Sequence, residues 1–124
     1  MNGMHTDLAY LGRFCKEDRS RMERYVHMYL EGAPALFQDL VAKQEAGDAE
    51  GLAVAAHSLR PQLNYMGAQR VFDLLTLVET EARAQGTAAC RAVVDECVEL
   101  NAKVMDELRA WVGEGGLGVL PQNR

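Results

Sequence analysis

The chain has 124 residues, enough for one domain with a single hydrophobic core, and its 48% hydrophobic and 25% charged residues exclude wholesale disorder. The net charge of −5 and the lack of any Lys/Arg run exclude a nucleic-acid binder, which needs clustered cations against the phosphate backbone. No apolar stretch approaches the roughly 18 residues that cross a bilayer, and no basic segment leads into an apolar one at the N-terminus, so neither a membrane protein nor a signal peptide is expected.

Apolar residues recur at helical spacing throughout, and no segment alternates as a strand would. A short first helix is expected from Asp7 to about Phe14, with Leu8, Leu11 and Phe14 as its apolar face. Asp18 offers an N-cap oxygen to a second helix carrying Met22, Tyr25, Val26, Tyr29 and Leu30. Gly32 and Pro34 should interrupt or kink it before the pattern resumes at Leu36, Phe37, Leu40 and Val41 and ends at Gly47. Asp48 caps a third helix with Leu52, Ala56, Leu59, Leu63 and Met66 inward, closed by Gly67. A fourth runs from Ala68 to Gly86 on Val71, Leu74, Leu75 and Val78. Thr87 should cap a fifth, built on Cys90, Val93, Val94, Cys97, Leu100, Val104, Leu108 and Trp111 and ending at Gly113.

Short connections and one apolar stripe per long helix give an all-α fold: an up-down antiparallel four-helix bundle with a short additional N-terminal helix. The domain core is expected over 6–112, with 113–124 a flexible tail. Cys15, Cys90 and Cys97 form no CxxC and cannot all pair, which suits reduced thiols in a cytoplasmic protein.

Candidate chemistry sits on the third helix. Each residue turns a helix by about 100°, so His57 falls beside the core stripe, toward solvent. Ala53, Arg60, Pro61 and Asn64 share its face. Neutral imidazole is a nucleophile at cytosolic pH. A phosphoryl group on its nitrogen would find Arg60 as a charge partner and Ala53 leaving space beside the ring. Asn64, and less favourably Gln62, are candidate hydrogen-bond partners. His5 lies in an expected frayed end and His27 on a helix flank; no HxxxH, ExxH or CxxC offers metal-ligand spacing.

The stretch from Ala55 to Ala68, AAHSLRPQLNYMGA, resembles the signature of the histidine phosphotransfer (HPt) domain family, the four-helix phosphocarriers of multistep two-component signalling. The family pattern is a histidine, a leucine two residues on, a basic residue at the third, a small residue at the fourth and a glycine at the tenth. The resemblance implies that His57 is the phosphoacceptor, Leu59 a core anchor, Arg60 the basic residue and Gly67 the closing glycine. It further implies partners: the receiver domains of a hybrid histidine kinase and a response regulator, docking around His57 through Ala53, Pro61 and Gly67. The Mg²⁺ would belong to the receiver, with no cofactor in this chain, which would act as a monomer.

Pro61 departs from the pattern, where glycine is usual. Proline removes the N–H that would bond the His57 carbonyl and costs about 3 kcal/mol in a helix interior, so a local kink is expected after His57. No phosphate-binding GxxxxGK[ST] loop is present, so the chain should not phosphorylate itself from ATP. Two alternatives stand beside the phosphocarrier. One is an adaptor of the same fold that binds a receiver or helical partner without accepting phosphate; the other is a ligand- or metal-binding bundle.

Overall fold

The computed structural model describes residues 3–117, with side-chain environments through 113. Five helices form in chain order: α1 (Ala9–Phe14), α2 (Arg19–Glu45), α3 (Ala49–Tyr65), α4 (Gln69–Gln85) and α5 (Arg91–Leu117). The four long ones close a bundle, with α2 on α3, α3 on α4, α4 on α5 and α5 back on α2. The apolar stripes predict the core closely. Leu52, Ala56, Leu59, Leu63 and Met66 of the third stripe and Val71, Leu74, Leu75 and Val78 of the fourth are all buried.

The caps lie where short acidic side chains were expected. Asp18 Oδ1 accepts from the Arg21 N–H at 3.2 Å, and Asp48 Oδ1 from the Gly51 N–H at 2.8 Å, each satisfying one orphan donor of a helix start. Thr87 is different. It opens a 3₁₀ turn, Thr87–Cys90, with no side-chain cap bond, and α5 begins only at Arg91. The Thr87 carbonyl instead accepts from Gln44 Nε2 at 2.8 Å.

Other boundaries also differ from expectation. α2 runs unbroken through Gly32 and Pro34, whereas α3 continues through Pro61 toward Gly67 as expected. Both prolines are exposed, so the carbonyl each leaves without a donor lies on the outer face of its helix, where water can replace the lost bond. α5 passes Gly113 and continues to Leu117, through the first five residues of the expected tail; the rest of that tail lies outside the described residues. Phe14 is not fully inward: it is 42% exposed and packs edge-on against Tyr25 and Tyr65.

The N-terminal segment is pinned rather than frayed. Glu107 of α5 accepts from the His5 N–H at 2.9 and 3.0 Å and from Thr6 Oγ1 at 2.9 Å. At the other side of the segment, the Asp7 N–H donates to the Met66 carbonyl at 3.2 Å. Gly67 lies directly beneath, at φ +65°, where a Cβ would collide with the Asp7 backbone. Only glycine meets both conditions, the left-handed turn and the close approach. The segment thus clasps α5 to the α3–α4 turn.

Between α2 and α5 the core carries one polar layer. The buried Tyr29 hydroxyl donates to Asn101 Oδ1, and Asn101 Nδ2 to the Met105 sulfur at 3.4 Å. Burial pushes the Tyr29 phenol well above its ordinary range, so it remains a donor.

Candidate functional site

His57 stands on the flank of α3 that faces α4, because its helical position is one step from Ala56, a core residue. Its side chain is 67% exposed. α4 lies alongside and delivers Glu79, whose side chain is only 17% exposed. The two Glu79 oxygens stand 3.2 and 3.3 Å from His57 Nδ1. No described side chain bonds Nε2, the outer ring nitrogen.

Glu79 gathers two further donors. Arg60 Nη1 donates to Oε1 at 2.9 Å and Arg83 Nη1 to Oε2 at 3.2 Å. Arg83 also grips Glu50 at the start of α3, through Nε at 3.0 Å and Nη2 at 2.9 Å. A chain of charge therefore runs Glu50–Arg83–Glu79, then branches to Arg60 and His57. Partial burial alone would push the Glu79 carboxyl up. The hydrogen bonds that Arg60 and His57 donate, with the Arg60 charge and that of the imidazole whenever it is protonated, outweigh it and hold the carboxyl below the usual carboxylate range. Glu79 is thus ionised at neutral pH and can only accept, so Nδ1 must be the donor. In the neutral ring this tautomer leaves the Nε2 lone pair facing outward as the nucleophile.

Arg60 has hydrogen-bonding capacity in reserve. Its guanidinium lies 5.0 Å over the Phe72 ring, and its buried Nε has no partner among the described residues. His57, Arg60, Pro61, Asn64 and Phe72 line a shallow open recess of about 290 Å³, a size suited to a phosphoryl group and the side chain that delivers it. Among the described residues no three His, Cys, Asp or Glu side chains gather so as to hold a metal ion.

A family profile, the Hpt domain, matches residues 24–111. The chain belongs to the Hpt domain family. As such it is a histidine phosphotransfer phosphocarrier of two-component phosphorelays. The fold is similar to the crystal structure of histidine-containing phosphotransfer protein B (HptB) from Pseudomonas aeruginosa PAO1, at a TM-score of 0.80 and 20% identity, over 91% of this chain and 98% of that one. Among curated proteins, none matches the sequence.

The structure brings together His57, Arg60, Pro61 and Asn64 of the expected site. It separates the others. Gln62 lines a groove on the α2 side with Tyr25, Met28, Tyr29, Tyr65 and Met66. Ala53 was expected on the exposed face and is fully buried. It lies one helical turn before His57 on α3 with no exposed surface, so it offers no docking surface. Gly67 is half-buried beneath Asp7 and serves the turn. Glu79, Arg83, Glu50 and Phe72 escaped sequence reasoning. The available signal was Glu79 and Arg83 at i, i+4, with Phe72 two turns before Glu79 on the same flank.

Proposed function

We propose that His57 accepts a phosphoryl group through Nε2 from the aspartyl phosphate of a receiver domain and passes it to a second receiver. The observation that carries this reading is a solvent-facing imidazole whose inner nitrogen is hydrogen-bonded to an ionised carboxylate and whose outer nitrogen is free. Arg60, already within reach, pairs with the phosphoryl oxygens as charge arrives. Asn64, on the rim of the same recess, adds a neutral hydrogen bond.

The partners are the receivers of a hybrid histidine kinase and a response regulator. They supply the acidic pocket and the Mg²⁺, while this chain supplies the nucleophile, with no ATP-dependent step of its own. The docking face spans the exposed side of α3 and the apolar ground toward α1 and α2, where Val54, Met28, Tyr10 and Phe14 are 50%, 60%, 41% and 42% exposed. Apolar contact on that side leaves the charged α4 side to the transferring group. The carrier works as a cytoplasmic monomer; no helix among the described residues is long and apolar enough to cross a membrane.

The adaptor alternative drew on Pro61. α3 continues through that residue and His57 remains exposed, so the alternative loses its motive. Incubation with a phosphorylated receiver should yield an acid-labile, base-stable phosphoprotein, and His57→Gln should abolish the label. Equal labelling of the variant would refute the assignment.

A further inference from the structure

We propose that Glu79 keeps Nδ1 of His57 protonated while the phosphoryl group is resident, so that phospho-His57 is a cationic, labile ring poised to donate. The inference rests on reading His57 as the phosphoacceptor at Nε2. Glu79 is a positioning residue here: it acts through the imidazole and touches no phosphoryl atom.

The chemistry follows from where the electrons go. On acceptance, the Nε2 lone pair forms the N–P bond as the P–O bond to the receiver aspartate breaks and its electron pair leaves with the carboxylate. The ring, still holding its Nδ1 proton, becomes a phosphoimidazolium. On donation the N–P bond breaks, its pair returns to Nε2, and neutral imidazole is the leaving group. If Nδ1 lost its proton in between, the leaving group would be imidazolate, a far stronger base and a far poorer departure. The proton on Nδ1 thus decides whether the phosphoryl group is stored or handed on.

Everything charged around the ring bears on that proton. On α4, Glu79 lies 3.2 Å from Nδ1 and is itself bonded by Arg83. On α3, Arg60 shares Glu79 and Glu50 is taken by Arg83. On the α2 side, Asp39 and Lys43 border α3 near Val54 and Ser58 and pair with each other at 2.7 Å. Glu79 and Glu50 balance Arg60 and Arg83 in charge, so the cluster is neutral before the ring is counted. When the phosphoryl group takes the Arg60 Nη1 donor from Glu79, Glu79 loses a competing partner and its hold on the Nδ1 proton tightens. An amide at this position could accept the same hydrogen bond from a protonated Nδ1, but would supply no charge to keep the proton there.

The test uses the full chain phosphorylated with phosphoramidate, with loss of the label followed by phosphorus NMR from about pH 5.5 to about pH 9, a span centred on imidazole titration. The wild-type chain should decay fast up to neutral pH and slow only above it. Glu79→Gln should slow at a pH lower by about one unit, the ordinary effect of removing one adjacent opposite charge, and hold its label several-fold longer at neutral pH. Nitrogen NMR of the same samples should show Nδ1 protonated at neutral pH in the wild type and largely deprotonated in Glu79→Gln. Identical decay profiles and identical Nδ1 protonation in the two proteins would overturn the inference while leaving His57 as the acceptor. A wild-type chain that takes no label, or label that survives His57→Gln, overturns the phosphoacceptor reading and this inference with it.

Discussion

Two glutamates each collect several donors in this bundle, and they do opposite work. Glu107 accepts from a backbone N–H and a threonine hydroxyl of the N-terminal segment, groups fixed by the fold. Glu79 accepts from two arginines and a histidine, long or rotatable side chains that can take another acceptor when one arrives. The first arrangement stores stability; the second stores reactivity. The clasp around Glu107 and Gly67 should therefore respond to mutation in stability alone, and the cluster around Glu79 chiefly in transfer chemistry, with only a small stability effect at acid pH.

The largest effect on that division is expected from Gly67→Ala, which combines a left-handed backbone with a collision against Asp7. It should cost about 2–3 kcal/mol and lower Tm by roughly 10 °C, while the transfer rate per folded molecule is unchanged. A stable variant with slow transfer would invert the comparison. Glu107→Ala leaves the His5 N–H and the Thr6 hydroxyl without their acceptor and should cost about 1–2 kcal/mol in urea unfolding, again with normal transfer. Arg60→Ala should do the reverse. Loss of one charge-assisted contact to the phosphoryl group slows transfer from a receiver by about 10- to 100-fold, with stability changed by less than about 1 kcal/mol.

The smallest effect is a pH dependence. The folded-state pKa of Glu79 is lowered, so its contribution to stability is complete above the ordinary value of 4.5 and is lost as pH falls through the lower folded value. Glu79→Gln should flatten that part of the acid limb in a stability–pH series and leave the limb above it unchanged. A variant whose acid limb matches the wild type would remove Glu79 from the stability account.

Much of this was legible because helices declare themselves locally. The stripes, the Asp18 and Asp48 caps and the position of His57 all follow from spacing within one helix. The half of the site on α4 does not: Glu79 is 22 residues from His57, and only the rotation of α3 against α4 brings them together. Ala53 failed for the same reason. Its angular position resembles that of Arg60, but an alanine on that flank is buried, while arginine is long enough to reach Glu79. Pro34 misled in the other direction, because no interruption of α2 occurs there. The cost of proline in a helix interior is real, but an outward-facing carbonyl returns to water and the helix continues.

The three cysteines give the bundle a set of built-in clocks. Cys15 follows α1, Cys90 ends the 3₁₀ turn and Cys97 lies within α5; all are free thiols with no exposed surface. Burial further pushes the Cys97 thiol up to about 12, so in the native state it is neither reachable nor ionised. Alkylation at each position can proceed only as fast as its neighbourhood opens. Loosening of the N-terminal clasp should therefore register first at Cys15, while Cys97 waits for the bundle itself to come apart.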